Sequence, residues 1–282
     1  MVKVKQMEDK KIVFQNIADL DLAQTFDCGQ AFRWTENPDG TFSGVVKKTK
    51  VKAELKDETL TLYGADESDR EFFKAYFDLD YDYAKAKAFL SSTHLVMSDA
   101  AKYAGGIRIL RQDSFEALIS FIISQNNNIS RIKGIISRLC ENFGEKIGEG
   151  NDVGYAFPSI EVLASLSRED LAPLRAGFRD RYIIDAAKKV ESGDIDLEKT
   201  AKMNYADAQK ELMKITGVGV KVADCALLYG MHRLESFPKD VWMKRAMSVL
   251  FSDMDSTVFG EYAGIAQQYI FHYSRMHPEL FE

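Results

Sequence analysis

Three cysteines in 282 residues, Cys28, Cys140 and Cys225, stand too far apart for a disulfide framework or a four-cysteine metal site. No apolar run reaches the ~18 to 20 residues a membrane-spanning helix needs, and the start, MVKVKQMEDK, has no apolar segment behind its lysines. An untargeted cytoplasmic protein is expected, with no membrane contact. His272 and His277, five apart and without a neighbouring cysteine, read as exposed or capping residues rather than metal ligands. There is no internal repeat and no low-complexity segment. A broad excess of positive charge is also missing: the net charge is −6, which argues against a blanket polyanion binder.

The sign is unevenly spread. Residues 1–101 hold 14 Lys+Arg against 18 Asp+Glu, whereas 102–189 hold 13 against 11 and 205–250 hold 7 against 5. A mildly basic face within an acidic protein is compatible with these counts. With 46% hydrophobic residues the chain can bury a substantial core.

Character changes near residue 100. Before it, FRWTENPDGTFSGVVKKTKVKAELKDETLTLYG alternates polar and apolar residues around two turn signals, Asn37-Pro38-Asp39-Gly40 and Lys56-Asp57-Glu58, and reads as an antiparallel meander. Lys47, Lys48, Lys50 and Lys52 read as a solvated strand face. From Asp69 the periodicity turns helical, and almost without interruption from Asp113. Asp113 with Glu116 makes a capping pattern, and Asp207, Asp240 and Gly260 are expected helix starts. The expected fold is α+β, with an N-terminal antiparallel-sheet domain at 1–101 and a helical domain at 102–282.

The stretch KITGVGVKVADCALL carries the chemistry. A helix from Tyr205, a turn at Gly217-Val218-Gly219 and a second helix from Val220 to Leu228 make a helix-hairpin-helix spanning about 205–228. Glycines let the backbone approach a ligand closely, and the first N–H groups of the second helix suit a phosphate. A plain helical corner with glycine caps explains the hairpin alone equally well. Lys221 changes the balance. A cation in a first helical turn is disfavoured by ~0.3 to 1 kcal/mol, so an amine placed there reads as a candidate nucleophile. Asp240, in SFPKDVWMKRAM, is an expected N-cap that the chain can return toward Lys221.

At these residues the sequence resembles the helix-hairpin-helix DNA glycosylases, and within them the 8-oxoguanine branch. CGQAFRW, LRQDSFEALISFIISQNNNISRIKGIISRLCENFG, LRAGFRDRY and the hairpin with its aspartate carry the resemblance from about residue 20 to 275. It implies that Lys221 and Asp240 are the catalytic pair. It also implies that Asn126 fills the space left by a flipped base, that Phe178 wedges the duplex, and that Arg131 and Arg179 read the opposite cytosine. Gly29 would offer its carbonyl to the N7–H that distinguishes 8-oxoguanine from guanine. Phe271 and Cys225 would stack on the two faces of the base and Gln267 would bind its pairing edge. Taken singly, Asn126 reads as a loop cap, Phe178 as a core aromatic and Cys225 as a small buried hydrophobe.

The implied partner is double-stranded DNA containing oxidised guanine, the implied reaction base excision with strand cleavage through a Schiff base, and neither cofactor nor metal is called for. A monomer is expected. No cysteine follows Cys225, which excludes the branch carrying an iron–sulfur cluster. Two departures stand out: Trp242 where vertebrate-type enzymes carry a histidine, and Phe178 rather than tyrosine. The short stretch after Phe271, without a basic tail or nuclear signal, fits a prokaryotic, nucleoid-associated enzyme. Two rival readings are a non-catalytic hairpin that only grips DNA and a glycosylase for alkylated bases; Lys221 argues against both.

Overall fold

The computed structural model describes residues 10–149, 153–252 and 254–281. The opening residues, on which the untargeted reading rests, are outside that range. Five strands, β1 (Lys11–Phe14), β2 (Trp34–Glu36), β3 (Phe42–Val46), β4 (Thr49–Lys56) and β5 (Thr59–Tyr63), form an antiparallel sheet in the order β1-β5-β4-β3-β2. The meander expected from the sequence is present, because alternate residues of β3 and β5 turn inward and the β4–β5 turn is made by Asp57 and Glu58, both at positive φ. Lys47 and Lys48 are not on a strand face as expected. They make the β3–β4 turn, with Lys47 at φ 51°, so only Lys50 and Lys52 belong to β4.

A short helix that the sequence pattern did not reveal, α1 (Leu22–Asp27), lays Phe26 on the sheet, where it stacks on Trp34 with ring centroids 4.2 Å apart. Helix α2 (Arg70–Tyr76) closes that core with Phe73 and Tyr76, and the Tyr76 hydroxyl accepts the Trp34 indole N–H at 2.9 Å.

The helical body has its own core. It contains α3 (Tyr83–Thr93), α4 (Leu95–Tyr103), α5 (Ser114–Ser124), α6 (Ile129–Phe143), α7 (Ile160–Ser165), α8 (Asp180–Glu191), α9 (Leu197–Lys202), α10 (Tyr205–Leu212), α11 (Val220–Met231), α12 (Val241–Phe251) and α13 (Ala263–Met276). A two-stranded ribbon, β6 (Lys146–Ile147) with β7 (Gly154–Tyr155), interrupts the helical run. Helix α5 is buried on nearly every side, as its sequence SFEALISFIIS requires, and packs lengthwise on α11. Asp113 caps α5 at the N–H groups of Phe115 and Glu116, but the Glu116 carboxylate pairs with Arg33 at 3.2 Å instead of completing a capping box.

Two expected helix starts move. Asn204, not Asp207, caps α10, accepting from the Asp207 N–H at 3.0 Å. Gly260 sits at a kink with φ 53°, inside a 3-10 stretch, Ser256–Tyr262, that precedes α13. Aspartate in a first turn and glycine at a bend carry sequence signals close to those of true caps.

Buried Asp78 ties the two regions together. Its carboxylate takes Arg111 Nε at 2.8 Å, the Tyr83 hydroxyl at 2.9 Å and His232 Nε2 at 3.1 Å. Burial pushes the Asp78 carboxyl up, but His232 and Arg111 outweigh it and hold it below the usual range. His232, the left-handed C-cap of α11, is thereby fastened at the far end of the helix that carries Lys221. No helix among the described residues is long and apolar enough to cross a membrane.

Candidate active site

The hairpin's first helix, expected to reach Ile215, ends at Leu212, and α11 extends three residues past Leu228. Its two glycines do different work. Gly217 lies at φ +81°, and a Cβ there would meet the Tyr182 ring at 2.5 Å. Gly219, the N-cap of α11, has extended backbone (φ −99°, ψ −178°), and a Cβ there would meet nothing within 4 Å. Val218 is buried between them. The turn is clamped from α8, where Asp185 accepts the Thr216 N–H at 2.7 Å and pairs with Lys189 at 2.9 Å. Sequence reasoning missed this clamp, which joins residues 31 apart.

Lys221 stands in the first turn of α11 with Nζ 3.3 Å from Ser124 Oγ and 5.5 Å from the centroid of Phe121. Both partners lie on α5, 97 residues away for Ser124, so no sequence signal pointed to them. Cys225 is one turn further along and 3% exposed. Burial pushes its thiol up to about 11, with Lys221 drawing it down and Asp240 pushing it up. Lys221 and Cys225, four residues apart on α11, lie on one face of the helix. Asp240 caps α12, its Oδ1 accepting the Met243 N–H at 2.7 Å, and it closes no ion pair with Lys221.

Gly29 and Phe271, 242 positions apart, come together: a Cβ on Gly29 (φ +81°) would stand 3.6 Å from Phe271 Cε1 and 3.8 Å from Ile129 Cδ1. Arg275, one turn after Phe271, lies 5.4 Å from that ring. Gln267 is buried one turn before Phe271, its Oε1 accepting from Tyr229 at 3.1 Å and from Gln268 Nε2 at 3.0 Å.

The asparagine run divides its labour. Asn127 bonds the Ile123 carbonyl at 3.2 Å and Asn128 caps α6 at the Arg131 N–H. Asn126 is exposed and held at φ 46°. Local capping thus accounts for two of the three and leaves Asn126 presented to solvent. Phe178 is 45% exposed, and Arg179 beneath it is only 2% exposed. The Arg179 guanidinium donates to the carbonyls of Gln125 (2.9 Å), Asn126 (3.0 Å) and Ala176 (2.9 Å) and lies 4.5 Å from the Phe178 ring. It braces the asparagine loop against the Phe178 loop. Arg131 is exposed, with one long bond of 3.5 Å to the Arg175 carbonyl. Trp242 turns its indole N–H to Ser274 Oγ at 2.8 Å.

A cleft of about 740 Å³ opens beside α11, lined by Val220, Lys221, Asp224, Lys239 and Lys244 among others. Among the described residues no group of three His, Cys, Asp or Glu side chains is placed to hold a metal ion.

Comparison with known proteins accords with this geometry. Residues 12–118 match the family "8-oxoguanine DNA glycosylase, N-terminal domain" and residues 119–257 the "HhH-GPD superfamily base excision DNA repair protein". The chain belongs to the 8-oxoguanine DNA glycosylase family. The N-glycosylase/DNA lyase of Saccharomyces cerevisiae is 35% identical over 258 residues, covering 82% of this chain and 68% of its own. Among solved structures, MBOgg1 in complex with a low affinity DNA ligand is 41% identical with a TM-score of 0.92, over 95% of this chain and 96% of that one. The Clostridium acetobutylicum 8-oxoguanine glycosylase/lyase, bound to double-stranded DNA with cytosine opposite 8-oxoG, is 34% identical with a TM-score of 0.90, over 95% and 96% of the two chains. A Bacillus subtilis DNA-3-methyladenine glycosylase is 31% identical over 171 residues, 60% of this chain and 56% of its own. It spans less of the chain than these family members do, and the match over 12–118 separates this chain from a hairpin-only module.

Proposed function

We propose that this chain is a bifunctional DNA glycosylase and abasic-site lyase that removes 8-oxoguanine from duplex DNA, preferably opposite cytosine, in base excision repair. The observation that carries the reading is Lys221 in the first turn of the uncapped hairpin helix, set against Ser124 and Phe121 at the wall of an open cleft. A DNA-binding hairpin has no use for that arrangement, and a glycosylase acting through its aspartate alone has no use for the lysine.

The flipped base enters beside Gly29, between Phe271 and Cys225. There the Gly29 carbonyl attracts the N7–H of 8-oxoguanine and repels the N7 lone pair of guanine. Asn126 and Phe178 occupy the opened duplex, offsetting a few kcal/mol of unstacking. Arg131, which is exposed, faces the opposite base; Arg179 is buried and donates to the Gln125, Asn126 and Ala176 carbonyls, so it acts by bracing the loops that carry Asn126 and Phe178 rather than by reading that base directly. The lysine nitrogen bonds to C1′ as the C1′–N9 bond breaks, and the base leaves with that electron pair and takes up a proton. Asp240 stabilises the cationic sugar and steers the amine. Opening of the sugar with loss of the amine proton gives the Schiff base. Loss of a C2′ proton then expels the 3′ phosphate. The protein is proposed to act as a monomer; sedimentation showing a stable dimer would overturn that.

Borohydride trapping on a duplex with one 8-oxoguanine opposite cytosine tests the chemistry. The wild type should form a covalent adduct with the lesion and none with undamaged DNA, and Lys221→Gln should form none. Binding without an adduct in the wild type would overturn Lys221 as the nucleophile and leave the hairpin-module and aspartate-only readings standing.

A further inference from the structure

Gln267 poses a recognition problem. A glutamine amide rotated by half a turn swaps an acceptor for two donors with almost no change of shape, so an unrestrained Gln267 would offer either end to a base edge. The structure restrains it from a place the family resemblance did not single out. Tyr229, near the C-terminal end of α11, is 2% exposed and donates its hydroxyl to Gln267 Oε1 at 3.1 Å. Gln268, also 2% exposed, donates Nε2 both to that oxygen at 3.0 Å and to the Tyr229 hydroxyl. The three polar groups close a ring. Two donors meet on the Gln267 carbonyl, and the amide plane is fixed.

The ring of Tyr229 is itself held. It stacks on Phe121 with centroids 4.9 Å apart at 20°, and Phe121 is the aromatic whose centroid lies 5.5 Å from Lys221 Nζ. Burial pushes the Tyr229 phenol far above its ordinary range, so it stays protonated and remains a donor.

We propose that Tyr229, with Gln268, is a positioning residue that locks the amide of Gln267 in one orientation and thereby sets which purine pairing edge the site accepts. The inference rests on the base-excision reading above. With Oε1 taken by Tyr229 and Gln268, the Nε2 donors are the end of Gln267 left for a base. They match the O6 acceptor of a guanine-type edge and oppose the amino group that an adenine-type edge carries at the same position. Without the phenol hydroxyl the amide turns more freely, and the two edges become less distinct.

Tyr229→Phe deletes one oxygen and keeps the stacking ring. The measurement is single-turnover excision of 8-oxoguanine and of 8-oxoadenine, each opposite cytosine, with cleavage of a preformed abasic site as reference for each preparation. For Tyr229→Phe the ratio of 8-oxoguanine to 8-oxoadenine excision should fall about tenfold, the effect of losing one buried hydrogen bond. Gln268→Met, which removes the second donor, should lower the same ratio. A merely structural Tyr229 would lower both excision rates and the abasic reference together and leave the ratio unchanged; that outcome overturns the proposal. If the wild type neither excises 8-oxoguanine nor cleaves the abasic site, the functional reading falls and the inference with it.

Discussion

Helices α11 and α12, which carry the two residues proposed as the catalytic pair, begin in opposite ways. Helix α11 starts from Gly219, which has no side chain to cap it, and carries a cation in its first turn. Helix α12 starts from Asp240, which bonds its own Met243 N–H. The first residues of both are exposed, Val220 by 53% and Val241 by 86%. A helix start with no capping side chain leaves its first N–H groups to solvent or to an external anion. A self-capped start has supplied its own anion and keeps the second carboxylate oxygen for other work. Macrodipole energies of about 0.3 to 1 kcal/mol oppose the lysine and favour the aspartate. On the proposed mechanism one helix start thus gives up stability to present a nucleophile and grip a phosphate, and the other gains stability while presenting a carboxylate.

Asp240→Asn breaks this contrast most sharply. Asparagine keeps the acceptor for the Met243 N–H, so the cap survives and stability should fall by less than about 1 kcal/mol. The charge beside the developing sugar cation is lost, and single-turnover excision should slow about 10²- to 10³-fold. Thermal unfolding and single-turnover kinetics on one preparation separate the two. Equal losses in both would mean that Asp240 is a cap and nothing more.

The two hairpin glycines sharpen the comparison from the structural side. Gly217→Ala places a Cβ at positive φ and 2.5 Å from the Tyr182 ring, and should cost about 2 to 4 kcal/mol of stability in chemical denaturation. A loss under about 0.5 kcal/mol would show that Tyr182 moves aside without strain and that the tight turn is not what demands glycine.

How much of this was legible in the sequence follows from the range of the interactions. The sheet, the helical body, the hairpin and the caps Asp113 and Asp240 are written in local patterns of two, three or four residues. The errors are local as well: Asp207 and Asn204 both belong to the first turn of α10, and a single sequence does not say which residue turns its side chain back onto the backbone. Lys47 and Lys48 carry no turn residue that marks them apart from their strand. By contrast Ser124 and Phe121 beside Lys221, Asp185 beneath the hairpin, and Tyr229 against Gln267 are side-chain contacts between distant segments. Nothing local in KVADCALLY ties Tyr229 to Gln267, since that contact forms only when α13 is laid against α11. Gly29 and Phe271 were reached through the family resemblance, and their meeting across 242 positions is a fact of the fold.

The smallest effect is the one that best isolates the uncapped helix start. At Gly219 the backbone is extended and a Cβ meets no protein atom within 4 Å, so nothing inside the molecule requires glycine there. Gly219→Ala should leave stability within about 0.5 kcal/mol of the wild type. If the N–H groups of α11 grip a phosphate at close range, the added methyl stands where that phosphate approaches. Affinity for duplex DNA should then fall severalfold at low salt, while Lys221 still forms its adduct at saturating DNA. Fluorescence anisotropy titration reads the loss, and an unchanged affinity would mean that the DNA backbone passes the hairpin without touching it.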